Sequence, residues 1–382
     1  MDAREKFLAT MNFDNTIPPP LWEMGCWAGT LRRWYQEGLP LVEGIDDQWA
    51  WGDGVSISFG LTHRKCSDPG LAVGLDKGAE RLNLENGLFP KYTPAILEKD
   101  TDYIILIDEM GIKKKVRKSN DSIPEFYSWP IENRCDWEQI KSERLDPKTP
   151  GRYPDDLEES IARAKNRDYP LYIGSNPVGF FGFLRWLMGE VRLLTGYFDD
   201  PDLIKDIISY LTDFWIVLWE PILSRVQIDY VLVWEDMCYK TAPLISPELF
   251  RKFMLPAYKK FTSFLKELGV DHIIVDTDGN FWDLVPLFLE GGVTGFFPCE
   301  VAAGMNVVKL REAFPQIKIF GGVDKRVLAN SKKAIDRELE AKIPFMLKKG
   351  GYIPHVDHHI PPDVPFENFL YYRWRIADLI NK

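Results

Sequence analysis

The residues best suited to chemistry in this chain are three of its five histidines, which fall within five positions near the carboxyl end. His355, His358 and His359 end a short apolar run that is stopped by Pro361 and Pro362. Proline cannot donate a hydrogen bond to a sheet, so the two prolines mark where a strand must end. Imidazoles at a strand end are suited to proton transfer or to metal binding. This segment is therefore predicted to contribute to a functional site.

Polar groups also follow seven other apolar runs. These groups are Glu23, Asp108, Glu109, Ser175, Asn176, Glu235, Asp236, Asp276, Asp278, Cys299, Glu300 and Asp324. An Asp before a helix also commonly serves as an N-cap, so each carboxylate taken alone has a structural alternative. Together they predict an acidic ring that faces the histidines. Side chains two apart on a strand point the same way, so Asp276 and Asp278 are expected on one side, and Glu235 is expected to face inward.

The elements that must position these groups alternate along the chain. The predicted strands span 17–25, 103–111, 171–177, 230–237, 272–279, 293–300, 317–324 and 352–359. Amphipathic helical stretches, such as 201–218, 247–268, 281–289 and 332–349, lie between them. Eight such strand–helix units predict a (β/α)8 TIM barrel, whose active site forms at the carboxyl ends of the strands. An open doubly wound sheet is the alternative, but no Gly-rich phosphate fingerprint follows the first run.

Two spacings are too long for plain crossover helices. Residues 28–100 and 112–168 are predicted insertions after the first and second strands that cap the barrel mouth. In the second, residues 111–118 and 126–130 are predicted to pair as a hairpin. We treat residues 1–382 as a single elaborated domain.

The composition excludes several classes of function. With 47 basic and 57 acidic residues, the chain is not expected to bind nucleic acid. No apolar stretch is long enough to span a membrane, and the first residues do not form a signal peptide. The five cysteines, at 26, 66, 135, 238 and 299, are widely scattered, which is typical of reduced thiols. We therefore expect a cytoplasmic enzyme that acts on a small molecule.

Four motifs carry a resemblance to a known family. They lie at residues 4–13 (REKFLATMNF), 245–258 (ISPELFRKFMLPAY), 320–324 (FGGVD) and 359–368 (HIPPDVPFEN). With these motifs the chain resembles the uroporphyrinogen decarboxylase superfamily. The resemblance implies a (β/α)8 barrel and one of two activities, porphyrinogen decarboxylation or corrinoid-dependent methyl transfer.

The amino-terminal motif departs from the decarboxylases. Their Arg-Gln-Ala-Gly-Arg segment, which binds substrate carboxylates, corresponds here to a stretch that begins at Glu23 and contains Trp27, with only Arg32 and Arg33 following. A substrate with eight carboxylates would also be repelled by an acidic ring. Uroporphyrinogen decarboxylation is therefore disfavoured.

The methyltransferase branch that serves coenzyme M holds zinc through one His and two Cys. The matching positions here are Asp276, Asp278 and His358, so the chain lacks the soft thiolates that suit thiol activation. If zinc is present, these three residues are the expected ligands. Residues 22–27 and 185–189 look most like the methyltransferases of anaerobic aryl O-demethylase systems. That resemblance alone implies transfer of a methyl group from a methoxylated aromatic to the Co(I) of a separate corrinoid (cobalamin-binding) protein.

The chemistry requires stabilisation of charge on the ether oxygen, by a proton donor or by a metal. The candidate catalytic residues are His358, His359, Asp276, Asp278 and Glu235. The candidate substrate-binding residues are Glu23, Trp27, Asp108, Asn176, Trp234 and Glu300. His355 is expected to be structural. Two alternatives remain open, namely a metal-free decarboxylase of a small acid and a non-catalytic barrel that binds a small molecule or a corrinoid.

Overall fold

A curled sheet of parallel strands forms the centre of the structure. The structure is a computed structural model, and it describes residues 1–39, 56–57, 74–117 and 124–382. The strands are β1 (Cys26–Trp27), β2 (Ser56–Ile57), β3 (Glu80–Arg81), β4 (Ala95–Lys99), β5 (Tyr103–Ile107), β6 (Lys113–Arg117), β7 (Glu125–Ser128), β8 (Leu171–Gly174), β9 (Tyr230–Trp234), β10 (Ile273–Asp276), β11 (Gly295–Phe297), β12 (Lys318–Phe320) and β13 (Tyr352–Ile353). Seven of them pair in the order β13-β12-β11-β10-β9-β8-β3, and every neighbouring pair is parallel. The six predicted strands from 171–177 to 352–359 are confirmed.

Helices connect and cover these strands, as the alternating pattern predicted. They are α1 (Ala3–Met11), α2 (Ala28–Gln36), α3 (Arg134–Arg144), α4 (Leu157–Ala164), α5 (Phe180–Met188), α6 (Glu190–Asp199), α7 (Pro201–Leu223), α8 (Pro247–Leu249), α9 (Leu255–Glu267), α10 (Val285–Glu290), α11 (Val307–Ala313), α12 (Lys332–Lys349) and α13 (Phe366–Ile380). A π-helical turn, Phe250–Met254, joins α8 to α9. Side chains of Asp200, Asn306 and Ser331 accept hydrogen bonds from the first turns of α7, α11 and α12, which fixes where these helices begin. No helix in the described ranges has the length and apolar character needed to cross a bilayer.

The predicted first strand is wrong, because residues 17–25 form no strand. Three consecutive prolines, Pro18 to Pro20, remove the amide donors that a ladder would need. The segment nevertheless lies between the two edges of the parallel sheet. On one side the indole of Trp22 donates to the carbonyl of Lys77 (2.8 Å), close to β3. On the other side the amide of Ile360, beyond β13, donates to the carbonyl of Gly25 (3.0 Å).

The predicted second strand is also wrong. Residues 103–107 belong to a separate antiparallel sheet of order β4-β5-β6-β7, and the strand that occupies the second place in the parallel sheet is β3. β3 lies inside the stretch 28–100 that was taken as the first insertion, of which residues 40–55 and 58–73 lie outside the described part of the chain. A strand of two charged residues leaves no apolar run to recognise. The predicted hairpin is confirmed, since β6 and β7 pair antiparallel.

Helix α1 covers the amino ends of the parallel strands. Its Phe7 is fully buried and packs on Trp22 and on Tyr230, the first residue of β9, with ring centroids 5.5 and 5.1 Å apart. It also meets the edge of His272, which precedes β10. The interior of the sheet is therefore filled at this end.

Candidate functional site

The curled sheet encloses a cavity of about 330 Å³. Five of its fourteen lining residues are aromatic, namely Trp22, Tyr172, Tyr230, Phe297 and Phe320. Its polar groups come from Glu23, Ser175, Asp276, His355 and His359. An apolar cleft of this size with few polar groups is typical of a small-molecule site.

Asp276 and Asp278 lie at the carboxyl end of β10. Asp276 is the last strand residue and lines the cavity, and burial raises the pKa of its carboxyl well above the usual value, with Asp278 and Asp236 adding negative charge nearby. Burial also acts to raise the pKa of Asp278, but a hydrogen bond from His358 and the charges of His358 and Lys325 outweigh it, so the net shift is downward. The pair therefore combines a carboxyl that keeps its proton with one that loses it.

His358 is held between Asp278 and an aromatic ring. Its Nε2 lies 3.4 Å from the carboxylate of Asp278, and its ring stacks on Trp27 with centroids 6.4 Å apart. The ring of His359 is tilted against Trp27 at 5.6 Å and meets His358 edge to face at 4.9 Å. Trp27 thus fixes both imidazoles beside the carboxylates.

His359 is a largely buried imidazole on the cavity wall. Burial, and after it the charge of His358, lowers the pKa of the imidazole to about 3. Its Nδ1 is buried without a hydrogen-bond partner among the described residues. At neutral pH His359 is a neutral polar group on the cavity wall, which makes it a poor cationic acid.

Glu23 lines the cavity but also anchors the histidine segment. Its carboxylate accepts hydrogen bonds from the amide of Val356 (3.1 Å), the hydroxyl of Tyr372 (2.9 Å) and the guanidinium of Arg373 (3.1 Å). His355, the expected structural histidine, is buried with Nδ1 2.7 Å from the carbonyl of Val356. These bonds tie the histidine segment to residues 22–24 and to α13.

The structure places Glu235 away from the cavity wall. The carboxylate is fully buried and accepts hydrogen bonds from the amides of Phe180, Phe181 and Gly182 at the start of α5, at 3.0, 2.6 and 3.1 Å. Tyr258 donates a fourth hydrogen bond at 2.5 Å. Four donors occupy both oxygens, so the geometry is that of a group that holds α5 against β9.

Of the other predicted site residues, Asp108 lies in the antiparallel sheet because β5 is not a barrel strand. Its carboxylate closes the β5–β6 turn by accepting from the amides of Met110 (2.9 Å) and Ile112 (3.0 Å), and it pairs with Lys114 at 2.8 Å. The prediction that it joins the ring of strand ends is therefore wrong. Asn176 lies at the end of β8 but borders a second cavity.

Trp234 and Glu300 do lie at strand ends near the site. Trp234 ends β9 and is half-buried, with its ring 6.1 Å from that of Trp186. Glu300 accepts a hydrogen bond from the amide of Gly279 (3.2 Å) and lies 3.9 Å from the ammonium of Lys325. Glu300 thus connects the turn after β10 to the turn after β12.

Sequence reasoning missed Lys325 and Tyr172. Lys325 directly follows Asp324 and begins the 3-10 turn after β12, and a search restricted to carboxylates and histidines passes over it. Tyr172 belongs to β8 and lines the cavity. Burial raises the pKa of its phenol above the usual value, while the charge of Arg81 acts to lower it and that of Asp276 to raise it.

The predicted zinc ligands do not fit a metal. Within the described ranges, no three His, Cys, Asp or Glu side chains are arranged so that they could hold an ion. Asp278 and His358 instead contact each other, with 3.4 Å between the carboxylate and Nε2. This donor set is better suited to handling protons.

The parallel sheet, its covering helices and a cavity at the carboxyl ends of the strands define a barrel-type α/β fold with a small-molecule site in the usual place for such folds. The family model for uroporphyrinogen decarboxylase (URO-D) matches residues 101–372. The chain therefore belongs to the uroporphyrinogen decarboxylase family, which confirms the resemblance seen in the motifs. Among solved structures it is similar to a methyltransferase from Methanosarcina mazei, with 16% sequence identity, a TM-score of 0.59 and all of both chains covered. At this identity the likeness shows a shared fold. No curated protein matched the chain.

Proposed function

We propose that this protein is a cytoplasmic methyltransferase that moves a methyl group from a small methoxylated aromatic compound to the Co(I) of a separate corrinoid protein. The observation that carries the proposal is an aromatic cavity of about 330 Å³ with the high-pKa carboxyl of Asp276 in its wall. The methyltransferase named among the similar structures is consistent with this assignment.

The size and lining of the cavity support a single aromatic ring as the methyl donor. Tyr172, Tyr230, Phe297 and Phe320 offer ring faces and edges to such a substrate. A corrin macrocycle is too large for this space, so in the proposal the corrinoid stays on its own protein and meets the substrate at the carboxyl ends of the strands. The same limit of size disfavours a tetrapyrrole with eight carboxylates.

Asp276 is proposed as the proton donor. When the methyl carbon is taken by the Co(I) co-substrate, the C–O bond breaks and its electron pair stays on the ether oxygen. The carboxyl of Asp276 gives its proton to that oxygen, so that a neutral phenol leaves and the methyl group ends on cobalt. Asp276 then regains a proton from solvent. Each turnover consumes one proton and one Co(I), and yields one phenol and one methylcobalt centre.

Asp278, His358 and His359 are proposed to support this step. The ionised Asp278 favours the protonated form of the neighbouring Asp276. The contact between Asp278 and His358 holds the carboxylate of Asp278 in place. Neutral His359, with one ring nitrogen free of partners among the described residues, is proposed to bond the substrate. Trp27 positions both rings, and Glu23, Trp234 and Glu300 support the walls. The long segments beside the barrel are proposed to cap its mouth, with residues 1–382 acting as one domain.

A product analysis tests the proposal. Under anaerobic conditions, the protein, a reduced corrinoid protein and a panel of methoxyarenes should give a phenol together with methylcobalt absorbance in equal amounts. Release of CO2 from a small acid without any cobalt species would instead support the decarboxylase alternative. Absence of both products across a broad panel would leave the non-catalytic reading and contradict the proposal.

A further inference from the structure

A second cavity, of about 420 Å³, lies beside the donor cavity at the same end of the barrel. It is bordered by Arg81, the last residue of β3, and by Asn176, two residues beyond β8. Ser175, the neighbour of Asn176, borders the donor cavity. The chain at residues 175–176 is therefore a wall shared by the two spaces. No role has been assigned to this second cavity.

Arg81 brings an unneutralised positive charge to this cavity. One terminal nitrogen donates to the carbonyl of Asn176 at 3.0 Å, and its Nε is buried without a partner among the described residues. Its contacts within the described ranges include no ion pair with a carboxylate. Burial lowers the pKa of its guanidinium more than the nearby Tyr172 and Glu85 raise it, so the cation is only partly compensated.

Arg152 adds a second such charge behind the cavity. It is fully buried, and its five N–H groups donate to five backbone carbonyls, those of Glu85, Gly87, Phe89, Arg144 and Asp146. These bonds exhaust its donors but leave its charge without a carboxylate partner in the described structure. The charge of Lys91, by contrast, is balanced by Glu85 at 3.5 Å and Glu109 at 3.6 Å. The cavity wall thus carries three cations, Arg81, Lys91 and Arg152, against one carboxylate, that of Glu85, in a chain whose net charge is −10.

Asn86 supplies a second free donor. Asn86 is one of the residues that line the cavity, and it is 1% exposed. The side-chain oxygen accepts a hydrogen bond from the indole of Trp219 at 2.7 Å, which fixes the orientation of the amide. The Nδ2 then remains buried with no acceptor among the described residues. Buried donors of this kind are usually satisfied, so Arg81 Nε and Asn86 Nδ2 are two donors of cavity-lining residues that lack an acceptor in the described structure.

We propose that the second cavity binds a carboxylate, with the guanidinium of Arg81 and the amide of Asn86 as its donors. A carboxylate offers two acceptor oxygens to a planar guanidinium and would also neutralise the field of Arg152. Tyr172 connects this site to the reaction centre, because it is the register partner of Arg81 across β3 and β8 and also lines the donor cavity. The carboxylate can therefore belong to the methyl donor itself, a reading that rests on the proposed function, or to a separate organic acid.

Calorimetric titration of the full-length protein with benzoate tests the site without any methyl transfer. Benzoate should bind the wild type, and Arg81→Gln should weaken binding at least about tenfold, as expected for loss of a charged hydrogen bond. Arg81→Lys keeps the charge but loses the planar fork, and should weaken binding less. Arg251→Gln removes an exposed arginine elsewhere and should leave benzoate affinity unchanged.

Melting curves show whether each variant is folded. If Arg81→Gln does not fold, Arg81→Lys decides. Absence of benzoate binding to the wild type, or equal affinity in the deciding variant, overturns the proposal.

Two further probes distinguish the source of the carboxylate. If it belongs to the methyl donor, 3-methoxybenzoate should bind more tightly than benzoate or anisole and should displace both. If it belongs to a separate acid, benzoate and anisole should bind together, and 3-methoxybenzoate should gain nothing. Both results retain the site. Failure of methyl transfer with Arg81-dependent benzoate binding intact would count against the proposed function alone.

Discussion

Asp276 and Asp278 are separated by one residue at the end of β10, yet the pKa values of their carboxyls are shifted in opposite directions. The difference arises because Asp276 faces the buried cavity, whereas Asp278 faces His358 and the charge of Lys325. Two like groups with opposite shifts are the usual signature of an acid and its electrostatic partner. This relationship is the basis for assigning the proton to Asp276.

Replacing Asp276 by Asn should slow methyl transfer by about 100-fold or more, because the amide cannot give a proton to the leaving oxygen. The variant should remain folded, since the change removes a buried ionisable group. Rates with saturating methoxyarene and melting temperatures measure both effects. The control is Asp283→Asn, which changes an exposed carboxylate a short way further along the chain. Activity of Asp276→Asn within twofold of the wild type would rule out Asp276 as the acid.

The activity should depend on pH in a way that Asp278 controls. Asp276 must be protonated, so kcat/KM should fall as the pH rises through its raised pKa. The negative charge of Asp278 contributes to that raised value. Asp278→Asn should therefore move the alkaline limb of the profile to lower pH, which a full pH–rate profile would measure. If the alkaline limb of Asp278→Asn lies at the same pH as that of the control Asp283→Asn, the two carboxyls Asp276 and Asp278 are not coupled.

Glu235 should make the protein less stable as the pH rises. Burial raises the pKa of its carboxyl to about 7, against the opposing hydrogen bonds from Tyr258 and the amides of α5. Between the unfolded value of 4.5 and about 7 the folded state binds more protons, so the free energy of unfolding falls with rising pH, by about 3 kcal/mol in total. Urea denaturation at pH 5 and pH 8 should show this slope in the wild type and in the exposed control Glu248→Gln. Glu235→Gln should make the slope shallower, although the raised pKa of Asp276 contributes in the same direction and remains, and a slope equal to that of the wild type would refute the assignment.

Arg152 should be among the most sensitive positions for stability. Lysine has three donors and no planar fork, so Arg152→Lys leaves at least two of the five buried carbonyls unpaired. Breaking a buried network of this kind should lower the free energy of unfolding by about 3–5 kcal/mol. Urea denaturation compares it with Arg163→Lys, an arginine that is 57% exposed. A loss below about 1 kcal/mol would mean that the network is replaceable.

The sequence predicts the later strands well for a physical reason. From β8 to β13 each strand is an apolar run that ends in polar groups, because both faces of a covered parallel sheet are buried while its carboxyl ends are not. β3 could not be found in this way, since it consists of Glu80 and Arg81 alone. The apolar run at Tyr103–Ile107 was misassigned because periodicity does not distinguish a barrel strand from one in an antiparallel sheet.

The candidate site was predictable in its members but only partly in its geometry. Asp276, Asp278 and His358 were found because they follow apolar runs. The different environments of Asp276 and Asp278 were not predicted, because the predicted strand continued to residue 279, whereas β10 ends at Asp276. The contact of Asp278 with His358, and the approach of Lys325 to Glu300, depend on how the sheet curls, which local sequence does not encode.

The central claim is the transfer of an intact methyl group from an aryl ether to cobalt, and isotope labelling tests it most directly. The protein would be incubated anaerobically with a trideuteromethoxy arene and a reduced corrinoid protein. The masses of the corrinoid and aromatic products would then be determined by mass spectrometry. We predict a CD3 group on cobalt and an equal amount of the unlabelled phenol, with both formed about 100-fold more slowly by Asp276→Asn. Recovery of the intact ether with no label on cobalt, across a panel of methoxyarenes that includes carboxylated ones, would contradict the account.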